Sequence, residues 1–192
     1  MSMAGKYAAM SRARLYALVK AVQYVHRNEI PGDVAICGVA RGGSALAVAR
    51  AFRNAGVTDR PIWLYDTFDA PTRPDLDDYQ IPEAYVAEIL EKRCPQYKRD
   101  AFIFVKGMVE DTIPQHAPEA ISILHLDTDW YESTRHELTH LWPRLSVGGV
   151  MLIDDYGCWQ GARGAVDEYI EENNLRLLLV PVDYTGRVGI KG

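Results

Sequence analysis

From Ser11 to Asn28 the apolar residues Leu15, Leu18, Val19, Val22 and Val25 recur at helical intervals, while Arg12, Arg14, Lys20 and Arg27 fall on other faces. The spacing predicts an amphipathic helix, stopped by Ile30-Pro31-Gly32. The period then changes. Asp33 to Val39 is a continuous apolar run that leads into Gly38, Gly42 and Gly43, and it reads as a buried strand entering a glycine turn. From Ser44 the alanine-rich S-A-L-A-V-A-R-A-F-R-N-A-G predicts a helix with Gly56 as its C-cap.

The alternation continues to the end of the chain. Pro61 introduces a strand over Ile62 to Tyr65, followed by Asp66-Thr67-Phe68-Asp69. Residues 70–80 carry prolines and acids without apolar period and predict a functional loop that folds over a ligand. Pro82 suits a first helical turn, and Glu83 to Arg93 predicts a helix with Val86, Ile89 and Leu90 inward. Ala101 to Val105 is a third strand, and Thr112 to Glu119 holds a short helical turn. Ile121 to Leu124 is a fourth strand that stops at H-L-D-T-D-W-Y-E-S-T, residues 125–134. Arg135 to Trp142 predicts a helix; Pro143, Gly148 and Gly149 punctuate the way to a strand at Val150 to Ile153, which stops at Asp154-Asp155-Tyr156. Gln160 to Asn174 follows as a helix with Val166, Tyr169 and Ile170 on one side. Leu177 to Val182 and Arg187 to Ile190 form a hairpin around Tyr184-Thr185-Gly186. The order predicts an α/β domain over 1–192, with 1–30 a helical segment ahead of a mostly parallel sheet covered on both faces and carrying one inserted antiparallel strand.

Composition narrows the partners. A net charge of -5 and a pI near 5.5, with scattered Lys and Arg, give no basic face for a phosphate backbone, so nucleic acid is not expected. The 3 cysteines are odd in number, without C-x-x-C spacing, and suit packing roles in a reducing cytosol. No apolar run reaches the roughly 18 to 20 residues that span a bilayer, and the start lacks a signal-peptide pattern. A soluble, cytoplasmic chain without a membrane partner is expected.

Two features carry chemistry. Gly38 to Ser44 (G-V-A-R-G-G-S) lacks the middle glycine of a dinucleotide fingerprint, and the chain has no G-K-S or G-K-T for a P-loop. Free N–H groups at the helix start can hold a carboxylate, with a hydroxyl from Ser44, and Asp66 is placed for two ribose hydroxyls. A ligand with a ribose and an amino-acid tail fits both; a plain tight connection and a solvated carboxylate are the structural alternatives. Asp127, Asp129, Asp154 and Asp155 bring carboxylates to two strand ends, where they repel one another unless a cation intervenes. Oxygen ligands without a Cys or His cluster point to Mg²⁺, Mn²⁺ or Ca²⁺. Helix capping accounts for one carboxylate per helix, whereas each strand brings two. His125 shares a face with Asp127 by alternation, as a partner of the acids or a satisfied core histidine. Tyr131 and Tyr156 shape an acceptor site or pack; Trp130, Trp142 and Trp159 read as core or interface, and Cys37 as a small buried hydrophobe.

The segments I-P-G-D-V (30–34), G-V-A-R-G-G-S (38–44), Y-D-T-F (65–68), K-G-M-V-E-D-T-I-P (106–114), L-D-T-D-W-Y-E-S-T (126–134) and S-V-G-G-V-M-L-I-D-D-Y (146–156) run in order over nearly the whole chain. In them the chain resembles the macrocin O-methyltransferase family of S-adenosylmethionine- and Mg²⁺-dependent enzymes that methylate sugar hydroxyls. The D-x-D-x-Y-E-S-T and D-D-Y pair is the specific part. The resemblance implies a Rossmann-like methyltransferase fold in which Asp127, Asp154 and Asp155 hold Mg²⁺ and Asp129 is the general base. It implies S-adenosylmethionine lined by Gly38, Val39, Gly42 and Ser44 at its methionine end, with Asp66 and Thr67 at the ribose, Gly107 and Met108 near adenine, and Asp127 at its border. The implied acceptor is a small molecule with vicinal hydroxyls, a sugar in natural-product or polysaccharide biosynthesis or a catechol-like phenol; a homo-oligomer is a further implication. The chain departs from the family pattern with Ile36 in place of the usual Glu and Ala40 in place of a common aromatic. The segment before the first helix is short, so a reduced N-terminal lid is expected. From the residues themselves, a non-catalytic nucleoside-binding module and a metal-dependent hydrolase stand as rival functions.

Overall fold

Strand alternation divides the interior in two. In the computed structural model, which describes residue 7 and residues 10–68 and 81–192, Val34 and Ile36 of β1 (Asp33–Cys37) face one layer of helices, whereas Ala35 and Cys37 face the other. The first layer is α1 (Arg12–Arg27), α2 (Gly43–Asn54) and α3 (Glu83–Arg93); the second is α4 (Val109–Thr112), α5 (Tyr131–Leu141) and α6 (Gln160–Glu172). Side chains of successive strand residues point to opposite faces, so a continuous apolar run is what a doubly covered strand requires.

The other strands are β2 (Ile62–Asp66), β3 (Phe102–Lys106), β4 (Ile121–Leu126), β5 (Leu145–Ile153), β6 (Val180–Pro181) and β7 (Arg187–Ile190). They form one sheet in the order β3-β2-β1-β4-β5-β7-β6. The first five strands are parallel, and β7 is antiparallel to both of its neighbours. The chain builds outward from β1 to β3 and then returns to lay β4 beside β1. The reversal opens a crevice at the carboxyl ends of β1 and β4, the place where open α/β sheets take ligands.

Most predicted elements stand where the pattern puts them. Ser11 caps α1, its hydroxyl accepting the Arg14 N–H at 3.2 Å, and Leu15, Leu18, Val22 and Val25 are buried. Val86, Ile89 and Leu90 are the inward residues of α3. Four boundaries differ. β1 ends at Cys37 rather than Val39, where the chain turns at Gly38. Helix α5 starts at Tyr131, ahead of the predicted Arg135, because the Trp130 carbonyl accepts the Thr134 N–H at 3.0 Å. The helical turn near 112 lies earlier, at Val109–Thr112. Strand β5 runs from Leu145 through Gly148 and Gly149, which pair with Lys191 beyond β7 instead of breaking the strand. The first hairpin arm is short because Leu177 and Leu179 pack into the core without pairing. Cys37 and Cys94 are buried as expected, whereas Cys158 is exposed. The loop expected at 70–80 lies outside the described residues. Among the described residues no helix is long and apolar enough to cross a membrane.

Gly38 and Gly56 separate two costs of a side chain. Both have left-handed backbones, with φ of +85° and +83°, but a Cβ on Gly38 would lie 2.0 Å from the Asp127 carbonyl oxygen while one on Gly56 meets nothing within 4 Å. Gly56→Ala should therefore destabilise by about 1 kcal/mol, the backbone cost alone. Gly38→Ala should cost at least about 3 kcal/mol, since β1 and the end of β4 must move apart. Urea unfolding of the two variants measures the difference.

Candidate active site

The parallel ladder runs past the strand ends and sets the site in line. Gly38 donates to the Tyr65 carbonyl at 2.9 Å, Asp127 to Cys37 at 2.9 Å, Asp154 to Leu126 at 2.9 Å and Gly107 to Asp66 at 3.1 Å. The glycine turn, Asp66 and Thr67, Gly107 and Met108, and the two acidic pairs therefore share one edge of the sheet.

Asp66 organises the first half. Its Oδ2 accepts the N–H of Val39 at 2.7 Å and of Ala40 at 3.0 Å, and its Oδ1 accepts the N–H of Phe68 at 3.1 Å. Ala40 (φ +44°) and Phe68 (φ +58°) hold left-handed conformations that non-glycine residues keep only when the surroundings fix them, and here one carboxylate does so. Gly42 caps α2, Ser44 is buried in its first turn, and the exposed Met108 caps α4. Ile36 is wholly buried in the layer of α1 to α3.

The acidic residues converge as two overlapping groups. Potential ligand atoms of Asp127, Asp129 and Asp155 lie within 4.8 Å of one another, and those of His125, Asp127 and Asp154 do likewise. Asp127 belongs to both. Burial, then the charges of Asp154, Asp155 and Asp129, and a hydrogen bond with Asp155 hold its carboxyl well above the ordinary carboxylate range. Asp129 sits in the left-handed region at φ +67°. Burial of Asp154 is offset by an ion pair of its Oδ2 with the Arg14 guanidinium. His125, also buried, places Nε2 at 3.7 Å from Asp154 Oδ1. The donor set fits a hard divalent cation: carboxylate oxygens from two adjacent strand ends, crowded beyond what one arginine neutralises.

Sequence reasoning missed three contributors. Arg14 reaches Asp154 from α1, and its Nε lies 3.2 Å from Asp183 Oδ2. Asp183, itself bonded by the Ser11 hydroxyl, accepts the N–H groups of Thr185 at 3.0 Å and Gly186 at 2.7 Å. That arrangement holds the Asp183 carboxyl down at about 2: burial raises it, but the bonds from Ser11 and Gly186 and the Arg14 charge outweigh that. Glu137, fully buried on α5, touches the far side of the acidic turn. The signal that was passed over is helical spacing: Arg14, read as lying on another face, stands four residues before Leu18, and Glu137 lies beside Leu138 and four before Leu141.

Aromatic residues rim the cluster. Trp130 and Trp159 are the N-caps of α5 and α6, and they are 41% and 38% exposed, unlike the core tryptophan Trp142 at 6%. The helix starts pack together, since a Cβ on Gly161 would lie 3.1 Å from the Tyr131 nitrogen. Tyr131 and Tyr156 turn their hydroxyls to Glu168 and Asp167 on α6, which is packing against that helix.

A sequence profile of the macrocin-O-methyltransferase (TylF) family matches residues 3–188. The mycinamicin III 3''-O-methyltransferase of Micromonospora griseorubida is 32% identical over 188 residues, 90% of this chain and 74% of that protein. An 8-demethyl-8-(2,3-dimethoxy-alpha-L-rhamnosyl)-tetracenomycin-C 4'-O-methyltransferase of Streptomyces olivaceus is 31% identical over 186 residues, 90% of this chain and 71% of that protein. The solved structure of the O-methyltransferase NovP superposes with a TM-score of 0.89 at 26% identity, covering 96% of this chain and 82% of that one. A match from the start of the chain into β7 decides between the rival chemistries in favour of methyl transfer: the chain belongs to the macrocin-O-methyltransferase family and is an O-methyltransferase.

Proposed function

We propose that the protein transfers the methyl group of S-adenosylmethionine to one hydroxyl of a vicinal diol on a sugar, with Mg²⁺ held by Asp127, Asp154 and Asp155. The observation that carries this reading is the crowding of Asp127 by three further aspartates at the strand ends, together with family membership. When bound, a divalent cation supplies Lewis acidity that lowers the pKa of a chelated hydroxyl. S-adenosylmethionine supplies an electrophilic methyl.

The residues of the chain account for binding and proton transfer. The glycine turn from Gly38 to Ser44 opens α2, whose free N–H groups suit the carboxylate of the cofactor. Asp66 keeps one of its roughly four acceptor sites after accepting three N–H groups, enough for one ribose hydroxyl beside Thr67. Gly107 and Met108, one strand farther out, border the adenine. Asp129, half-buried beside Asp127 and Asp155, takes the proton of the reacting hydroxyl. Fixing acceptor and donor against one sheet edge supplies the alignment that displacement at a methyl group needs. The sugar assignment draws on the rhamnosyl named for the Streptomyces olivaceus relative and on Trp130 and Trp159, whose exposed rings suit the apolar face of a pyranose.

Asp127→Asn should weaken Mg²⁺ binding by roughly ten- to a hundred-fold in titration calorimetry. Asp129→Asn should keep Mg²⁺ affinity within about two-fold and lower kcat by roughly a hundred- to ten-thousand-fold. Equal loss of metal in both, or full turnover in either, overturns the division of roles. Trp130→Ala and Trp159→Ala should raise the KM for a glycoside acceptor by about ten-fold while kcat changes little; unchanged KM in both removes the tryptophans from the acceptor site.

A further inference from the structure

The acidic turn has a second side. Strand alternation sends Asp127 toward α1, and sends Cys37, Leu126 and Thr128 toward α5. There the Thr128 hydroxyl donates to Glu137 Oε2 at 3.2 Å, and the Cys37 thiol lies within hydrogen-bonding reach of the same carboxyl. Glu137 is 0% exposed, and its Oε1 has no hydrogen-bond partner. Glu110 of α4 stands nearby with one oxygen accepting the Ser133 hydroxyl at 2.6 Å and the other buried and unpartnered. Such a polar group inside an apolar layer costs stability where its hydrogen bonds are incomplete, and the bonds that Glu137 does make hold what they touch in place.

What it holds is the strained segment. Asp129 at φ +67° is an unfavourable conformation kept by its neighbours. The bonds that fix the turn include Asp127 N–H to Cys37 O at 2.9 Å, Trp130 N–H to Thr128 O at 2.9 Å, and the Thr128 hydroxyl to Glu137. We infer that Glu137 is a positioning residue, which fixes from beneath, through Thr128, the turn that presents Asp127 and Asp129. The inference rests on the reading of that cluster as the active site.

The titratable groups facing Glu137 are Cys37 from β1 and Glu110 from α4. Burial first, then the charge of Glu110, raise its carboxyl to about 8 against hydrogen bonds from Thr128 and Cys37 that lower it, so Glu137 is held as the neutral acid at pH 7. The folded value lies above the ordinary 4.5, so the folded protein keeps a proton that the unfolded chain releases. Its contribution to stability is full below 4.5, falls as the pH rises toward 8, and is level beyond that.

Hydrogen exchange of the 126–134 segment tests the inference without requiring turnover or metal. Thr128→Val and Glu137→Leu should speed exchange of the Asp127 and Trp130 amides by about ten-fold, the loss of one buried hydrogen bond, while Glu137→Gln, which keeps the acceptor, should leave it unchanged. Thr128→Val carries the test alone if Glu137→Leu does not fold. Unchanged exchange in Thr128→Val overturns the inference. Calorimetry with Mg²⁺ on the same proteins separates it from the functional reading: a wild-type protein that binds no metal, yet shows faster exchange in Thr128→Val, overturns the metal site and leaves the strut standing. Melting temperatures add an independent arm, in which the wild type should lose roughly 5 °C more than Glu137→Gln between about pH 6 and pH 9. An identical pH dependence overturns the neutral state of Glu137.

Discussion

Repulsion among four aspartates at two neighbouring strand ends is the constraint around which the carboxyl edge is built. Charges within 4.8 Å of one another cost on the order of 3 kcal/mol per pair at the effective dielectric of a protein surface. That repulsion must be offset locally, and the chain does so by an ion pair and by burial. The Arg14 guanidinium pairs with Asp154, and burial keeps Asp127 from ionising easily. A divalent cation can relieve the crowding of Asp127 by its carboxylate neighbours.

The Arg14 contact also decides how distant parts of the chain depend on one another. Its guanidinium lies between Asp154, at the end of β5, and Asp183, which closes the turn before β7. A Cβ on Gly186 would meet the Arg14 stem at 2.9 Å, so the hairpin has no side chain where the arginine crosses it. Helix α1, the hairpin and one acidic strand end are thus a single electrostatic unit. Disturbing the amino-terminal helix should be felt at the site although no residue of α1 belongs to the resemblance motifs.

Much of this was legible in the sequence, and the exceptions have physical causes. Strand β1, the turn from Gly38 and helix α2 were readable because an apolar run, glycines and an alanine-rich stretch each carry a local signal. The convergence of the acidic pairs was readable because two apolar strand runs each stop at a pair of carboxylates, and the two strands are neighbours. The start of α5 was hidden by a Trp N-cap and a polar first turn, Tyr131-Glu132-Ser133-Thr134, whose buried residues are Ser133 and Thr134 rather than aliphatics. Gly148 and Gly149 read as punctuation, yet long-range pairing with Lys191 overrode their local preference. Arg14 was assigned to another face of α1 although it stands four residues before Leu18, and Glu137 sits beside Leu138, but helical spacing does not say what either charge meets. The loop at 70–80 lies outside the described residues, so its expected role stays with the sequence.

The two-residue period of β4 explains how a buried acid can support other acids without joining them. Because side chains alternate, Asp127 and Thr128 leave the same strand end toward opposite layers, the first toward Arg14 and His125, the second toward Glu137. Glu137 and Asp127 are thereby kept on different faces of the sheet, with the backbone between them. If Glu137 were on the α1 side it would add another carboxylate to a cluster already in excess. On the α5 side it meets a hydroxyl, a thiol and one other acid, surroundings in which a neutral carboxyl is the stable form. A slip of one residue in β4 would exchange these faces, turning both Thr128 and the aspartates toward the wrong layer. Register in the central strand is therefore a condition for the chemistry as well as for the core.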